Sequence, residues 1–301
     1  QTLKITVTGT NDKPTTAFNG TLSATEDSAI IDQKLTATDK DQGDSLTYKL
    51  VAQQDILTKL GLSLDGDQLS FDPKASNWQS LGEGDISEIK VDYQVSDGID
   101  TVNAAFNLKV TGVNDAPIFE IGAGDKKLAK LMEDPDKAVS ATGTLTINDP
   151  DAQSVSCTVS KVNVAMDSQY KLLTGNQETD LAALDDLLKM LTIKTGDVKI
   201  ENGKGSITWK FDSGFAAALD PIPKNEVLKL EYQITANDGK NGKAVQTLIV
   251  EITGTNDAPK VLFKTGDSAD GKVTDTAKNV TGSLSIYDED KVDVFFAGVS
   301  I

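Results

Sequence analysis

A phrase of seven residues, Thr-Gly-x-Asn-Asp-x-Pro, occurs three times in this 301-residue chain, beginning at Thr8, Thr111 and Thr253. Each copy closes an alternating apolar run: Leu3, Ile5 and Val7; Phe106, Leu108 and Val110; Leu248, Val250 and Ile252. Alternation in period two marks a strand with one buried face. The Pro ends each ladder because it has no N–H to donate, and Asn-Asp offers oxygen ligands where the chain passes to the next unit. The copies stand roughly 100 and 140 residues apart, far beyond the ~20–50 residue period of a solenoid, so each unit needs its own core. The expected division is the last strand of a preceding repeat with its linker at 1–12, a repeat at 13–115, a second at 116–257, and the N-terminal part of a further repeat at 258–301.

The two long units superimpose on residue type. Glu26-Asp27 and a strand ending in Asp39-Lys40-Asp41 match Glu133-Asp134 and a strand ending in Asp149-Pro150-Asp151, and the last segment repeats the latter as Asp288-Glu289-Asp290. Leu69 to Asp72 matches Ile207 to Asp212, and the strand ending at Asp97-Gly98 matches the one ending at Asp238-Gly239. About seven short strands with such turns make a β-sandwich. Short helical pieces interrupt the pattern at Asp55–Leu60 and, in the second unit, near 179–191. There Leu181, Leu184, Leu187, Leu188 and Leu191 keep helical spacing behind Thr179 as an N-cap. Trp78 with Leu81, and Phe215 with Leu219, are expected to plug the cores beneath a crossover loop.

Composition removes several classes of function. The net charge is −17, there is no His, and all 29 basic residues are Lys. Such a chain repels nucleic acid and anionic membranes, lacks the bidentate guanidinium clamp, and has neither the commonest general base nor the commonest transition-metal ligand. One Cys, Cys157, permits no internal disulfide, and its place between Val155 and Val159 points it into a sheet core. No apolar run reaches the ~20 residues of a membrane span. Paired carboxylates serve glycoside hydrolysis in other settings, but their recurrence at unit boundaries argues for structure, and no enzyme activity is expected.

That recurrence fits calcium, which takes six to eight oxygen ligands. Strand direction gathers Asp39, Asp41 and Asp97 beside Asn11 and Asp12 at the start of the first long unit. Glu26 and Asp72 gather at its far end beside Asn114 and Asp115, where Asp149, Asp151 and Asp238 of the next unit also arrive. Glu133 and Asp212 join Asn256, Asp257, Asp288 and Asp290 in the third set. Two carboxylates 4 Å apart repel by roughly 4 kcal/mol at an effective dielectric of about 20, so such sets need cations.

Thr-Gly-Thr-Asn-Asp-Ala-Pro, the Trp78…Leu81-Gly82-Glu83 stretch and the Tyr-Gln-Val-Ser-Asp-Gly strand resemble the cadherin-like, VCBS-type repeats of giant RTX-type bacterial surface adhesins exported by type I secretion. The resemblance implies an all-β fold of tandem immunoglobulin/cadherin-like sandwiches with short helical insertions. It also implies calcium ligands at Glu26, Asp72, Asn114, Asp115, Asp149, Asp151 and Asp238. The chain departs from cadherins where Asp72-Pro73 and Asp212-Ser213 replace an Asp-Arg-Glu triplet, and its linker is a residue shorter. The implied role is an extracellular calcium-rigidified stalk on the bacterial cell surface, projecting a binding head for surface attachment or biofilm formation. The alternative is a binding module within such an adhesin for a glycan, a surface or a second copy. Neighbouring repeats are the expected partners, with glycan or abiotic-surface contacts made by other parts of the parent protein, and with no nucleic acid and no membrane insertion.

Overall fold

On the strand Ile86–Ser96, Val91, Tyr93 and Val95 are buried while Lys90 and Asp92 face solvent. This alternation recurs along the long strands, broken by a register shift between Val159 and Lys161 on Ser154–Val164, and builds two sandwiches. The computed structural model describes residues 2–171, 177–194, 197–214, 219–268, 282–288 and 290, with the backbone alone for 177–182. Among the described residues the fold is all-β, built of β-sandwiches with two short helices. Two units separate: Gln1–Ala116 with Asp149–Gln153 and Glu201–Gly203, and Pro117–Asn148 with Ser154–Ile200 and Lys204–Ile301.

In the first unit one sheet runs Thr21–Thr25, Thr101–Thr111, Ile86–Ser96, Thr47–Leu50; its first pair is parallel and the others antiparallel. The facing sheet holds Ile31–Lys34, Gln68–Phe71 and Leu62–Asp65, and Thr15–Thr16 pairs with Ala37–Thr38. Both sheets supply one apolar cluster containing Leu35, Phe71, Tyr93, Phe106 and Leu108, each at most 1% exposed. The helix Gln54–Leu60 ends at Gly61, whose left-handed φ of 73° any Cβ would strain. Trp78 is fully buried and its indole N–H donates to the Leu60 carbonyl at 3.2 Å, so it does plug this core.

The second unit repeats the plan with longer strands. Its larger sheet runs Leu128–Met132, Lys243–Thr253, Val227–Asn237, Ser154–Val164, Val198–Lys199; the other runs Ile118–Phe119, Ser140–Asn148, Lys204–Asp212, Leu191–Ile193. The helix Gln177–Met190 buries Leu187, and the Tyr232 hydroxyl donates to the Leu187 carbonyl at 2.8 Å. Tyr93 occupies the matching position in the first unit and donates instead to Phe18 at 2.6 Å, so the inserted helix has taken over an anchoring hydroxyl.

Three expectations change. Residues 2–14 form no strand, and Leu3, Ile5 and Val7 are 84%, 75% and 87% exposed: alternation makes a ladder only where a partner strand exists, and among the described residues none pairs here. The second helix starts at Gln177, so Thr179 lies inside it and is no N-cap, and Leu191 opens a strand. Cys157 is only half-buried, although burial pushes its thiol up to about 11. Leu219 is buried, whereas Phe215 lies outside the described residues.

The Trp209 indole, fully buried, lies against Gly143 on the neighbouring strand; a Cβ at 143 would stand 2.5 Å from it. Gly143→Ala should cost about 1–3 kcal/mol in a urea titration. Gly9→Ala, where nothing lies within 4 Å, should stay within roughly 0.5 kcal/mol of the parent. Equal effects at both positions would remove the indole contact as the reason for Gly143.

Candidate metal centre

Each acidic cluster starts from one local pairing. Thr15 follows Pro14 and pairs with Thr38, which precedes Asp39; Ile118 follows Pro117 and pairs with Asn148, before Asp149; Lys260 follows Pro259 and pairs with Tyr287, before Asp288. This register sets the Asn-Asp step against the Asp-x-Asp turn. The Asp12 N–H accordingly donates to Asp41 Oδ2 at 2.7 Å, and the Asp257 N–H to Asp290 Oδ2 at 2.9 Å. Within the turns, the Asp41 N–H donates to Asp39 Oδ1 and the Asp290 N–H to Asp288 Oδ1, both at 2.9 Å.

A buried glutamate completes two of the clusters. Thr25 is in register with Thr111 on a parallel pair, so the next residue, Glu26, meets the strand end. Its N–H donates to the Thr111 carbonyl at 2.9 Å, and its Oε1 accepts the Val113 N–H at 2.8 Å. Met132 pairs with Thr253 in the same way. The Glu133 N–H donates to the Thr253 carbonyl at 2.8 Å, and Oε2 accepts the Thr255 N–H at 3.0 Å and its hydroxyl. The glycine between these residues is fixed by close approach: a Cβ on Gly112 would stand 2.3 Å from the Gly82 carbonyl oxygen, and one on Gly254 2.1 Å from that of Ile222. The repeated phrase is thus a strand end, a backbone crossing and a carboxylate receptor in one stretch.

Glu26 is 2% exposed and Glu133 3%. Glu26 Oε2, Glu133 Oε1, Asp115 Oδ2 and Asp149 Oδ2 are buried without a hydrogen-bond partner, as are Asp39 Oδ2 and Asp288 Oδ2. None of the described ion pairs involves these residues. Burial, reinforced by Asp115, Asp27 and Asp151, pushes Glu26 up to about 7 despite the Val113 N–H. Burial and then Asp151 push Asp149 up to about 6, and burial followed by Asp27 and Asp151 raises Asp115. The donors are all oxygens, which suits a hard divalent cation such as calcium.

Of the sequence-derived ligands, the first cluster unites Asn11, Asp12, Asp39, Asp41 and Asp97. The Asn11 amide donates to Asp97 at 3.1 Å and to Asp100 at 3.0 Å. Asp44, not foreseen, lies with Asp39 and Asp41 so that their oxygens fall within 4.8 Å of one another. Asn114 and Asn256 behave differently from Asn11, each donating to the carbonyl of the following Asp at 3.0 and 2.8 Å.

The third cluster brings Glu133 and Asp257 together with Asp220, all three buried and with oxygens within 4.8 Å. Asp212, chosen from residue type, instead pairs with Lys210 at 2.7 Å and accepts the Gly214 N–H at 3.0 Å. Asp72 likewise accepts the Lys74 N–H at 3.0 Å, and the carboxylates acting on Glu26 are Asp115, Asp27 and Asp151. Asp238 Oδ1 accepts the N–H groups of Lys240 at 2.6 Å and Gly242 at 3.0 Å, closing its hairpin. Asp220 was missed because its match in the first unit is Gln79, a different residue type.

Residues 11–109 match the bacterial Ig domain family. No curated protein matches the sequence. Among solved structures, protocadherin gamma B2 extracellular cadherin domains 1-5 is 15% identical with a TM-score of 0.44, covering 94% of this chain and 47% of that one. Human protocadherin-24 EC1-2 is 16% identical with a TM-score of 0.36, covering 81% and 99%. The human desmocollin-1 ectodomain is 13% identical with a TM-score of 0.36, covering 93% and 47%. The chain therefore spans about half the length of the first and third. None of these likenesses carries a function to it.

The raised carboxylates set a pH dependence in cation-free protein. Glu26 rises from 4.5 to about 7 and Asp149 from 3.8 to about 6, so both favour the folded state when protonated. Their stabilisation is complete below the unfolded values and is lost as pH rises through the folded ones. The melting temperature in chelator should fall from pH 5 to pH 8, and saturating calcium should flatten or reverse that slope. A melting temperature in chelator that rises over the same interval would contradict the burial of these groups in charged form.

Proposed function

We propose that this chain is a calcium-stiffened stalk segment of a bacterial cell-surface adhesin, displayed outside the cell. The supporting observation is the pair of buried glutamates, each with one oxygen held by a strand-end amide and the other without a partner, set among further carboxylates. The bacterial Ig match over 11–109 supports an extracellular module of this kind. Glu26, Asn114, Asp115, Asp149 and Asp151 would hold calcium at the end of the first repeat, and Glu133, Asn256, Asp257, Asp288 and Asp290 at the end of the second. Asn11, Asp12, Asp39, Asp41 and Asp97 would do so at the beginning. Bound calcium relieves carboxylate repulsion and restricts the angle between successive repeats, which are one another's partners. The repeats divide the chain at 1–12, 13–115, 116–257 and 258–301. In the described residues no helix is long and apolar enough to cross a membrane.

Small-angle scattering of the chain with calcium and then with chelator tests the stalk. Chelation should increase flexibility and change the maximum dimension; curves that superimpose would overturn the proposal. An ion at ten times its dissociation constant adds roughly 1.4 kcal/mol per site, and extracellular sites bind at ~10⁻⁴–10⁻³ M. The melting temperature should therefore climb through the millimolar calcium range, with magnesium a poor substitute. Replacing both Asp149 and Asp151 by Asn should weaken calcium binding while a cooperative unfolding transition survives, because the cores are apolar.

A further inference from the structure

The backbone assigns Asp220 a counterpart that residue type conceals. Leu81 donates its N–H to Trp78 and Ile222 to Leu219, each at 2.9 Å. Asp85 donates to Gly82 and Glu226 to Pro223, again at 2.9 Å. Gly84 and Asn225 both have positive φ, 81° and 66°, and donate to Gly112 and Gly254 at 3.0 Å. Gly112 and Gly254 donate in turn to Asp85 and Glu226, at 2.8 and 2.9 Å. Four matched hydrogen bonds and the buried Trp78 and Leu219 align the two loops residue for residue. Gln79 therefore stands where Asp220 stands.

The exchange alters the ligand chemistry. Asp220 puts a carboxylate within 4.8 Å of Glu133 and Asp257. Gln79 is neutral and uses its amide to donate to Asp27 Oδ1 at 3.2 Å, holding one nearby carboxylate as an acceptor. The acidic cluster does not stand alone: Glu133, 3% exposed, has Oε1 buried there without a partner. Affinity for calcium in oxygen cages rises with the number of charged ligands.

We infer that Asp220 is a cation ligand that makes the Glu133–Asp220–Asp257 cluster the tighter of the two glutamate-based sites, filled at lower calcium than the cluster around Glu26 and Asp115. This ranking rests on the cation-binding reading above. A stalk with unequal sites would stiffen in stages as calcium rises, the Glu133 site first and the Glu26 site later.

Two amides report the sites separately, since the Val113 N–H binds Glu26 and the Thr255 N–H binds Glu133. Calcium chloride is titrated into the metal-free full chain and both resonances are followed by nuclear magnetic resonance. The Thr255 midpoint should fall about tenfold or more below that of Val113. Asp220→Gln should raise the Thr255 midpoint towards that of Val113 and leave Val113 in place. Gln79→Asp, at a half-buried position, should lower the Val113 midpoint and supplies an independent arm if the first variant does not fold. Coincident midpoints in the parent, or midpoints indifferent to both substitutions, overturn the ranking while leaving calcium binding intact. Amides that ignore calcium altogether overturn the ranking and the stalk reading together.

Discussion

The structure turns on a glutamate that caps a strand from the side. Glu26 and Glu133 each leave a parallel edge strand, bond through their N–H to the last carbonyl of the central strand, and accept the amide just beyond the glycine. A carboxylate so enclosed is costly to bury as an anion unless each oxygen finds a partner. One oxygen has the amide. The other has none, and Asp115 or Asp257 adds a further negative charge nearby. At Glu26, which burial pushes up to about 7, a proton relieves the conflict; a cation would relieve it at either glutamate.

In the first cluster lysines and an amide offset part of the charge, while Asp39 Oδ2 stays buried without a partner. Lys40 lies 3.4 Å from Asp12 and Lys13 3.9 Å from Asp100, while the Asn11 amide bridges Asp97 and Asp100. These pairs are largely exposed and individually weak. Among the described residues no glutamate of the Glu26 kind is drawn into it, and the segment leading to Asn11 forms no strand. A Cβ on Gly9 would meet nothing within 4 Å, whereas Gly112 and Gly254 are wedged against carbonyl oxygens, so the same phrase is a packed strand end twice and an open segment once.

Period-two alternation made the sandwich readable, because inward and outward positions differ in burial along strands such as Ile86–Ser96 and Val227–Asn237. It misread Leu3 to Val7 because a pattern records which face prefers burial and cannot supply the neighbour that buries it. Leucine spacing located the body of the second helix, but Thr179 misplaced its start. In the clusters, Asp39 with Asp41 and Asp288 with Asp290 were legible because the antiparallel pairing just before them carries them to Asn-Asp. The place of Asp220 beside Glu133 and Asp257 was not, because it comes from a loop whose backbone repeats while its side chains do not. Matching by residue type selected Asp212, which the structure gives to Lys210.

The antiparallel register after each Pro has a consequence for how such domains can diverge. The residue following Pro and the residue preceding Asp-x-Asp are tied to each other, so loops between them can differ in length without separating the Asn-Asp step from the Asp-x-Asp turn, provided the strand that carries Glu26 or Glu133 keeps its own register. Closing a longer loop costs only about 0.6 kcal/mol for each doubling. The three copies already differ there, with Thr15 tied to Thr38, Ile118 to Asn148 and Lys260 to Tyr287. The meeting of Asn-Asp with Asp-x-Asp is thereby insulated from insertions, and surface loops of very different size can be grafted onto one unchanging clasp.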